Sequence, residues 1–226
     1  MFPISDSIKS ARFPLITLVI IAINIYVFYL ELTSGNQNAF ISQYALTPAR
    51  VNFLDPNSLS YFITSLFLHG GFIHILSNMW FLWVFGDNVE AHFGKIKYTL
   101  LFLASGIGGN FLQYLINPTS TIPMLGASGA ISGILASYLV LFPSARIKTF
   151  LVLFFFITIT EIPAMIYIFY WFFIQFLSGI ASLPLDYQGG VAFWAHVGGF
   201  VTGYILANKF KRSASDKEFI EGEIVG

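Results

Sequence analysis

A serine and a histidine, residue types that together can perform nucleophilic catalysis, both lie where a loop meets an apolar segment. Ser128 stands between glycines at the start of one segment, and His196 lies near the start of another. An imidazole that contacts a serine hydroxyl takes its proton as a general base and later returns it to the leaving group. A serine among glycines also suits a tightly packed helix face, so Ser128 alone leaves both interpretations open.

The composition is that of an integral membrane protein. Of the 226 residues, 56% are hydrophobic and 10% are charged, against about 25% charged residues in an ordinary soluble domain. The formal net charge is zero, so nothing indicates a nucleic-acid partner. The chain has no cysteine, which excludes disulfides, thiolate metal sites and thiol catalysis.

Six apolar segments approach the roughly 20 residues that a helix needs to cross a bilayer: about 13–32, 70–85, 97–116, 127–142, 161–179 and 190–208. They predict an all-α membrane protein, a six-helix transmembrane bundle over residues 13–208. Residues 1–12 would be a cytoplasmic N-terminus and 209–226 a cytoplasmic tail. Residues 33–68 would form a structured outer loop, and 146–160 an interfacial segment. The fifth helix is predicted from Glu161, because Pro163 favours a helix start.

The basic residues agree with this topology if both termini are cytoplasmic. Of the 11 Lys and Arg residues, only Arg50 then lies outside, as the positive-inside rule requires. The cytoplasmic ones are Lys9, Arg12, Lys95, Lys97, Arg146, Lys148, Lys209, Lys211, Arg212 and Lys217.

Polar side chains of three predicted helices reach a similar depth. The second, fourth and sixth helices would run inwards, and four polar residues lie within about 5–12 Å of the outer ends at 1.5 Å per residue. Polar groups in apolar spans usually face the protein interior or a water-filled cavity. We therefore expect these four side chains to meet: His74, Asn78, Ser128 and His196.

Glycine spacing predicts which helices touch. Gly129 and Gly133 form one small-xxx-small pair and Gly199 and Gly203 form another, and such pairs let helix backbones approach closely. His196 shares a helix stripe with the second pair. Packing of the two stripes would bring this histidine beside the serine.

The predicted reactive unit is a dyad with an oxyanion site. No carboxylate is expected at the depth of the pair, because Glu161 would begin its helix at the opposite face and is the only acidic residue expected near a span. His74 and Asn78 can donate hydrogen bonds, as can the Ser128 backbone N–H at a helix N-terminus. Gly126 would allow a tight turn and leave room for a substrate backbone.

Three motifs give the chain a resemblance to a known family. Residues 126–129, Gly-Ala-Ser-Gly, match the GxSG motif of rhomboid intramembrane serine proteases. Residues 69–78 resemble their second-helix pattern, in which a His and an Asn four residues later line the active site. Residues 195–203 resemble their AHxxGxxxG motif, and Val89-Glu90 with Gly94 resembles the turn after their second helix. The resemblance covers about residues 13–208.

The resemblance implies an intramembrane serine endopeptidase that cleaves single-span membrane proteins within or near the outer leaflet of the bilayer. By matched position Ser128 would be the nucleophile and His196 the general base, with His74, Asn78 and the Ser128 N–H around the oxyanion. It implies no metal and no cofactor. Substrate entry would involve the fifth helix and an outer loop at about 181–189.

The sequence departs from the family pattern at two places. Many relatives carry Trp-Arg in the first outer loop, where this chain has Ser60-Tyr61. Some relatives have a tyrosine that stacks on the catalytic histidine four residues after the nucleophile. Here that position is Ser132, so His196 must be oriented by another group.

Several polar residues are interpreted as structural. His69 lies on a different helix face from His74, and isolated amides are expected to bond between helices or at the interface. These amides are Asn24, Asn110, Gln113 and Gln175.

Two other function classes compete with a protease. A catalytically silent rhomboid-like protein that binds membrane clients as a scaffold or quality-control factor usually lacks the Ser or the His. A small transporter would need intramembrane carboxylates or an internal repeat, and we find no repeat. The short chain, with no evident targeting peptide, suggests a multi-pass protein of a prokaryotic plasma membrane. The sequence leaves the substrate, the oligomeric state and the pathway open.

Overall fold

A computed structural model describes residues 1–10, 12–153, 156–183 and 191–211 of the chain. Within these ranges the helices are α1 Leu15–Thr33, α2 Gln37–Tyr44, α3 Pro56–Thr64, α4 Phe72–Ile116, α5 Ser128–Leu141, α6 Ala164–Ser182 and α7 Phe193–Phe210. The strands are β1 Phe2–Asp6, β2 Arg146–Leu153 and β3 Phe156–Pro163. Short 3-10 turns cover Pro48–Arg50 and Ser65–Phe67.

The helices are those of a membrane protein. Among the described residues, α1, α4 and α6 are long and apolar enough to cross a bilayer, judged by length and composition. The apolar helix α5 has 14 residues, about 21 Å at 1.5 Å per residue, which is less than the thickness of a hydrocarbon core. The six-span count and the cytoplasmic position of both termini stay predictions.

Helix α4 contains two antiparallel helices that meet at Gly94. As one straight rod its 45 residues would extend about 68 Å. Gly94 instead has φ 75° and ψ 166°, a left-handed value that favours glycine. The two halves fold against each other, since a β-carbon on Gly86 would lie 2.6 Å from the Tyr98 hydroxyl. The second and third predicted segments therefore form a hairpin.

Helix α5 lies at the centre of the bundle. All of its residues from Gly129 to Tyr138 are buried, and it packs between the two halves of α4 and α7. A helix that is apolar on every side suits such a position. The N-terminal end of this central helix carries Ser128.

A three-stranded antiparallel sheet, in the order β1-β2-β3, stands beside the helices. The sequence predicts no strand, and residues 146–160 were expected only to lie at the interface. Ile and Thr alternate from Ile157 to Thr160, which is a β-favouring pattern. Pro163 disfavours helix at the residue before it, so α6 begins at Ala164 and not at Glu161.

The sheet is attached to the bundle through β1. The Trp80 indole N–H donates to the Pro3 carbonyl at 2.6 Å. The Asp6 carboxylate accepts bonds from the Asn88 amide, at 2.8 Å, and from the Tyr138 hydroxyl. Burial raises the pKa of Asp6 to about 6, against its usual 3.8.

Two acidic residues to which the sequence gave no role are buried among the helices. Glu90 is 4% exposed and accepts bonds of 2.8 Å from the Ile16 N–H, the Thr17 N–H and the Thr17 hydroxyl. It therefore pairs donors that the first turn of α1 cannot pair itself. Glu31, fully buried in α1, accepts from the His69 backbone N–H at 2.9 Å. The expectation that only Glu161 lies near a span was wrong.

The outer loop packs on the ends of the helices. Leu46 forms an antiparallel bridge with Met124, and Asn110 donates to the Ser65 hydroxyl at 2.9 Å. Of the pair that departs from the family pattern, the Ser60 hydroxyl bonds within α3. Tyr61 packs against a small apolar cluster of Leu46, Phe62, Met124 and Ala195.

Candidate active site

Ser128 is held at the start of α5 by a turn that only glycine adopts easily. Gly126 has φ 119°, in the region that L side chains rarely occupy, and its N–H donates to the Ser65 carbonyl at 2.9 Å. Ser128 is then the first residue of α5 and is partly exposed. Its carbonyl accepts the Ser132 hydroxyl at 2.6 Å, so Ser132 bonds to the helix backbone.

His196 lies directly against the serine. The Ser128 Oγ is 2.8 Å from His196 Nε2, within the range of a good hydrogen bond. His196 as a residue is 7% exposed. Its other nitrogen, Nδ1, is 2.7 Å from the Oε1 of Gln175 in α6. The Trp171 ring, also from α6, lies 5.9 Å from the imidazole at 35°.

The contact between α5 and α7 depends on facing glycines. A β-carbon on Gly199 would lie 2.7 Å from the carbonyl carbon of Gly129, and one on Gly203 would meet the backbone of Gly133 at 2.7 Å or less. Real β-carbons essentially never come within 3.0 Å of another heavy atom in this way. The two backbones are thus as close as glycines permit, and this closeness puts His196 against the serine.

His74 and Asn78 line the space in front of Gly126. A β-carbon on that glycine would lie 2.6 Å from His74 Nε2 and 3.7 Å from Asn78 Nδ2. His74 Nδ1 is 3.4 Å from the Gly70 N–H, so Nε2 is the ring nitrogen that is turned towards Gly126. Asn78 Nδ2 is buried with no bonding partner in the described chain. Two polar side chains therefore face this space.

The remaining polar residues are placed more simply. His69 is fully buried, and its ring lies 5.0 Å from that of His74 in an edge contact. Glu161 lies in β3, opposite Lys148. Asn24 bonds within its own helix, and Gln113 accepts from the backbone N–H of Trp194 at 3.1 Å.

Sequence reasoning missed the contact of Gln175 with His196. The residue was interpreted as one of several interhelical or interface amides. Its signal was present, because a lone amide in an apolar helix faces a polar partner. The identity of that partner depends on how α6 and α7 pack, which spacing along the chain does not reveal.

The arrangement contains the nucleophile and the base that acyl transfer requires. His196 Nε2 is within reach of the hydroxyl proton, and the His74 and Asn78 side chains lie near Gly126, two residues before the serine. Among the described residues, no group of three or more His, Cys, Asp or Glu side chains could hold a metal ion. The predicted entry loop at 181–189 lies mostly outside the described residues, as does the tail from residue 212 onwards.

Comparison with known proteins gives a single family. The family model described as Rhomboid domain matches residues 56–213, more than two thirds of the chain. The match includes the serine, both histidines of the site and the asparagine.

The similar curated proteins are considerably longer than this chain. RHOMBOID-like protein 4 of Arabidopsis thaliana is 35% identical over 140 residues, which cover 62% of this chain and 31% of that protein. RHOMBOID-like protein 1 of the same plant is 28% identical over 226 residues, covering 88% and 54%. The mitochondrial presenilin-associated rhomboid-like protein of Homo sapiens is 31% identical over 130 residues, covering 57% and 33%. The chain thus spans about a third to a half of these relatives.

The names of the relatives bear on location. Two further matches are named mitochondrial and chloroplastic. The comparisons therefore give no support to a prokaryotic plasma membrane.

Proposed function

The chain belongs to the rhomboid family, and on this premise we propose that it is an intramembrane serine endopeptidase. The observation that carries the proposal is the 2.8 Å contact between Ser128 Oγ and His196 Nε2. A nucleophile and a base within hydrogen-bond reach form the minimum unit of covalent acyl transfer.

The proposed mechanism begins with transfer of the Ser128 proton to His196 Nε2 as the oxygen attacks a peptide carbonyl. The carbonyl oxygen becomes an oxyanion, and the proposed donors to it are His74 Nε2, Asn78 Nδ2 and the Ser128 N–H. The nearness of both side chains to Gly126 supports this assignment. His196 then protonates the leaving amine, which gives an acyl-enzyme on the serine. Water, deprotonated by the same imidazole, releases the second product and restores the hydroxyl.

The proposed substrates are single-span membrane proteins cut within or near the outer leaflet. Support comes from the site's place at the N-terminal end of a central helix in an apolar bundle. Gly126, without a side chain, lets the His74 imidazole lie close to the backbone that leads into Ser128. Entry past α6 and the loop at 181–189, and residence in a prokaryotic plasma membrane, remain predictions.

The test is cleavage of a purified single-span reporter in detergent. Wild type should cleave it, whereas Ser128→Ala and His196→Ala should be inactive. A fluorophosphonate or isocoumarin should form an adduct on Ser128 of the wild type, and the His196→Ala variant should react far more slowly. Cleavage by the Ser128→Ala variant would contradict the assignment of Ser128 as the nucleophile.

A silent scaffold is the competing function. The bonded Ser–His pair is an observation against it, because such a protein needs neither residue. Wild type that binds a reporter, cleaves no peptide bond and resists both probes would favour the scaffold.

A further inference from the structure

Helix α6 contacts the imidazole of His196 at the nitrogen that the serine does not use. Gln175 Oε1 lies 2.7 Å from His196 Nδ1, and the Trp171 ring covers the imidazole at 5.9 Å. A carbonyl oxygen accepts and never donates a hydrogen bond. With the amide oxygen facing the ring, Nδ1 is the nitrogen that carries the proton in this contact.

Aromatic pairs hold this part of α6 against α7. Phe172 and Phe200 have ring centroids 4.3 Å apart, and Phe176 and Trp194 have centroids 6.0 Å apart. Gln175 lies between the two α6 members of these pairs in the sequence. The stretch of α6 that carries Gln175 is therefore in contact with α7.

We propose that Gln175 is a positioning residue that holds His196 in its reactive tautomer, so that the reactive unit is a Ser–His–Gln triad. A neutral imidazole has one N–H. With the proton on Nδ1, the Nε2 lone pair faces the Ser128 hydroxyl and can accept its proton. In the other tautomer Nε2 would present a hydrogen to the serine and could not act as base. This inference rests on the proposed function.

The triad makes the tautomer of His196 depend on the position of α6. Nucleophile, base and positioning amide come from α5, α7 and α6 respectively. An outward shift of α6 by about 1 Å would stretch the 2.7 Å contact beyond the usual limit near 3.2 Å. The tautomer would then be free to change. The tyrosine that some relatives use is replaced here by Ser132, and α6 supplies both the ring contact and the polar contact.

Two substitutions separate the hydrogen bond from simple packing. Gln175→Met keeps a similar length but removes the acceptor, whereas Gln175→Glu keeps an acceptor. We expect Gln175→Met to lower kcat for the detergent reporter by about tenfold to a hundredfold with KM little changed, as for other groups that orient a functional histidine. Gln175→Glu should retain most of the activity.

The matched control is Gln113→Met. Gln113 is also an amide that bonds to α7, where it accepts from the backbone N–H of Trp194 at 3.1 Å. It does not touch His196 in the described structure. Its loss should lower the melting temperature and leave kcat within about threefold. A loss of kcat that is shared by both Met variants would assign the effect to packing and overturn the proposal.

Nitrogen-15 NMR of labelled histidines reads the tautomer directly and needs no activity. The chain has four histidines, so a His196→Ala spectrum identifies the relevant signals. Wild type and Gln175→Glu should show a protonated Nδ1, and Gln175→Met a mixture of tautomers. If Gln175→Met does not fold, the other two spectra decide.

Two outcomes overturn the triad: a wild-type His196 protonated at Nε2, or a Gln175→Met variant with unchanged tautomer and kcat. Failure of the proposed function looks different. In that case the wild type cleaves nothing and its Ser128 resists fluorophosphonate, whatever the NMR shows. A wild type that cleaves the reporter and reacts with fluorophosphonate, together with a Gln175→Met variant of unchanged tautomer and kcat, would refute the triad alone.

Discussion

Gly199→Ala is the substitution for which the structure predicts the clearest damage. The new β-carbon would lie 2.7 Å from the carbonyl carbon and 3.1 Å from the Cα of Gly129, and closer still to the carbonyl oxygen. Ordinary contact begins at 3.4 Å. All three atoms are backbone, so no rotamer change relieves the overlap. The helices α5 and α7 must separate by roughly 1 Å or more, as overpacked interiors do.

That separation acts where the chemistry is proposed. Ser128 immediately precedes Gly129 on one helix, and His196 lies three residues before Gly199 on the other. Most of the shift therefore reaches their 2.8 Å contact, and a separation near 3.8 Å is no longer a hydrogen bond. A misplacement of about 1 Å can lower activity by about 10²-fold. Overpacking should also lower the free energy of unfolding by about 1–3 kcal/mol.

The matched control is the glycine on the other side of the crossing. A β-carbon on Gly129 would come no closer than 3.3 Å, to the Ala195 carbonyl oxygen, so Gly129→Ala should lose much less activity. Reporter cleavage and thermal unfolding in detergent measure both variants. The reasoning fails if Gly199→Ala keeps wild-type kcat, or if Gly129→Ala is the more damaging change.

Three further predictions concern other contacts. Glu90→Ala should lower the free energy of unfolding by about 2–4 kcal/mol, measured by thermal unfolding, because the Ile16 and Thr17 N–H groups lose their acceptor. Asn78→Ala should raise the catalytic barrier by about 2–4 kcal/mol, measured as kcat, through loss of one oxyanion donor. The pKa of Asp6 rises to about 6 on folding. Its contribution to the free energy of unfolding is therefore greatest below pH 4 and declines as the pH rises to about 6. Asp6→Asn should remove this part of the pH dependence of the melting temperature.

Each of these has a contrary outcome. Glu90→Gln keeps one acceptor oxygen and should be milder than Glu90→Ala; equal losses would argue against the capping role. An Asn78→Ala variant with kcat within threefold of wild type would remove that amide from the oxyanion site. Identical pH dependence in wild type and Asp6→Asn would mean that another group titrates.

The candidate site follows closely from local features of the sequence. An apolar run fixes the length of a helix, and a residue's place in that run fixes its approximate depth. Ser128 and His196 could therefore be put at one level, and the glycine pairs indicated which helices approach. These properties depend on neighbours along the chain.

Tertiary packing determined the features that the sequence did not predict. Which glycine of a facing pair tolerates a methyl group depends on helix rotation, so Gly199 and Gly129 differ although both sit in the same type of motif. The sheet pairs β2 with β1 from the far end of the sequence, and Gln175 becomes a partner of His196 only when α6 lies against α7. Hydrogen bonds extend over about 3 Å, and spacing in sequence cannot specify distances between separate helices to that precision. The sequence by itself determined the chemical groups and predicted a common depth for them, and the tertiary structure decided which of them touch.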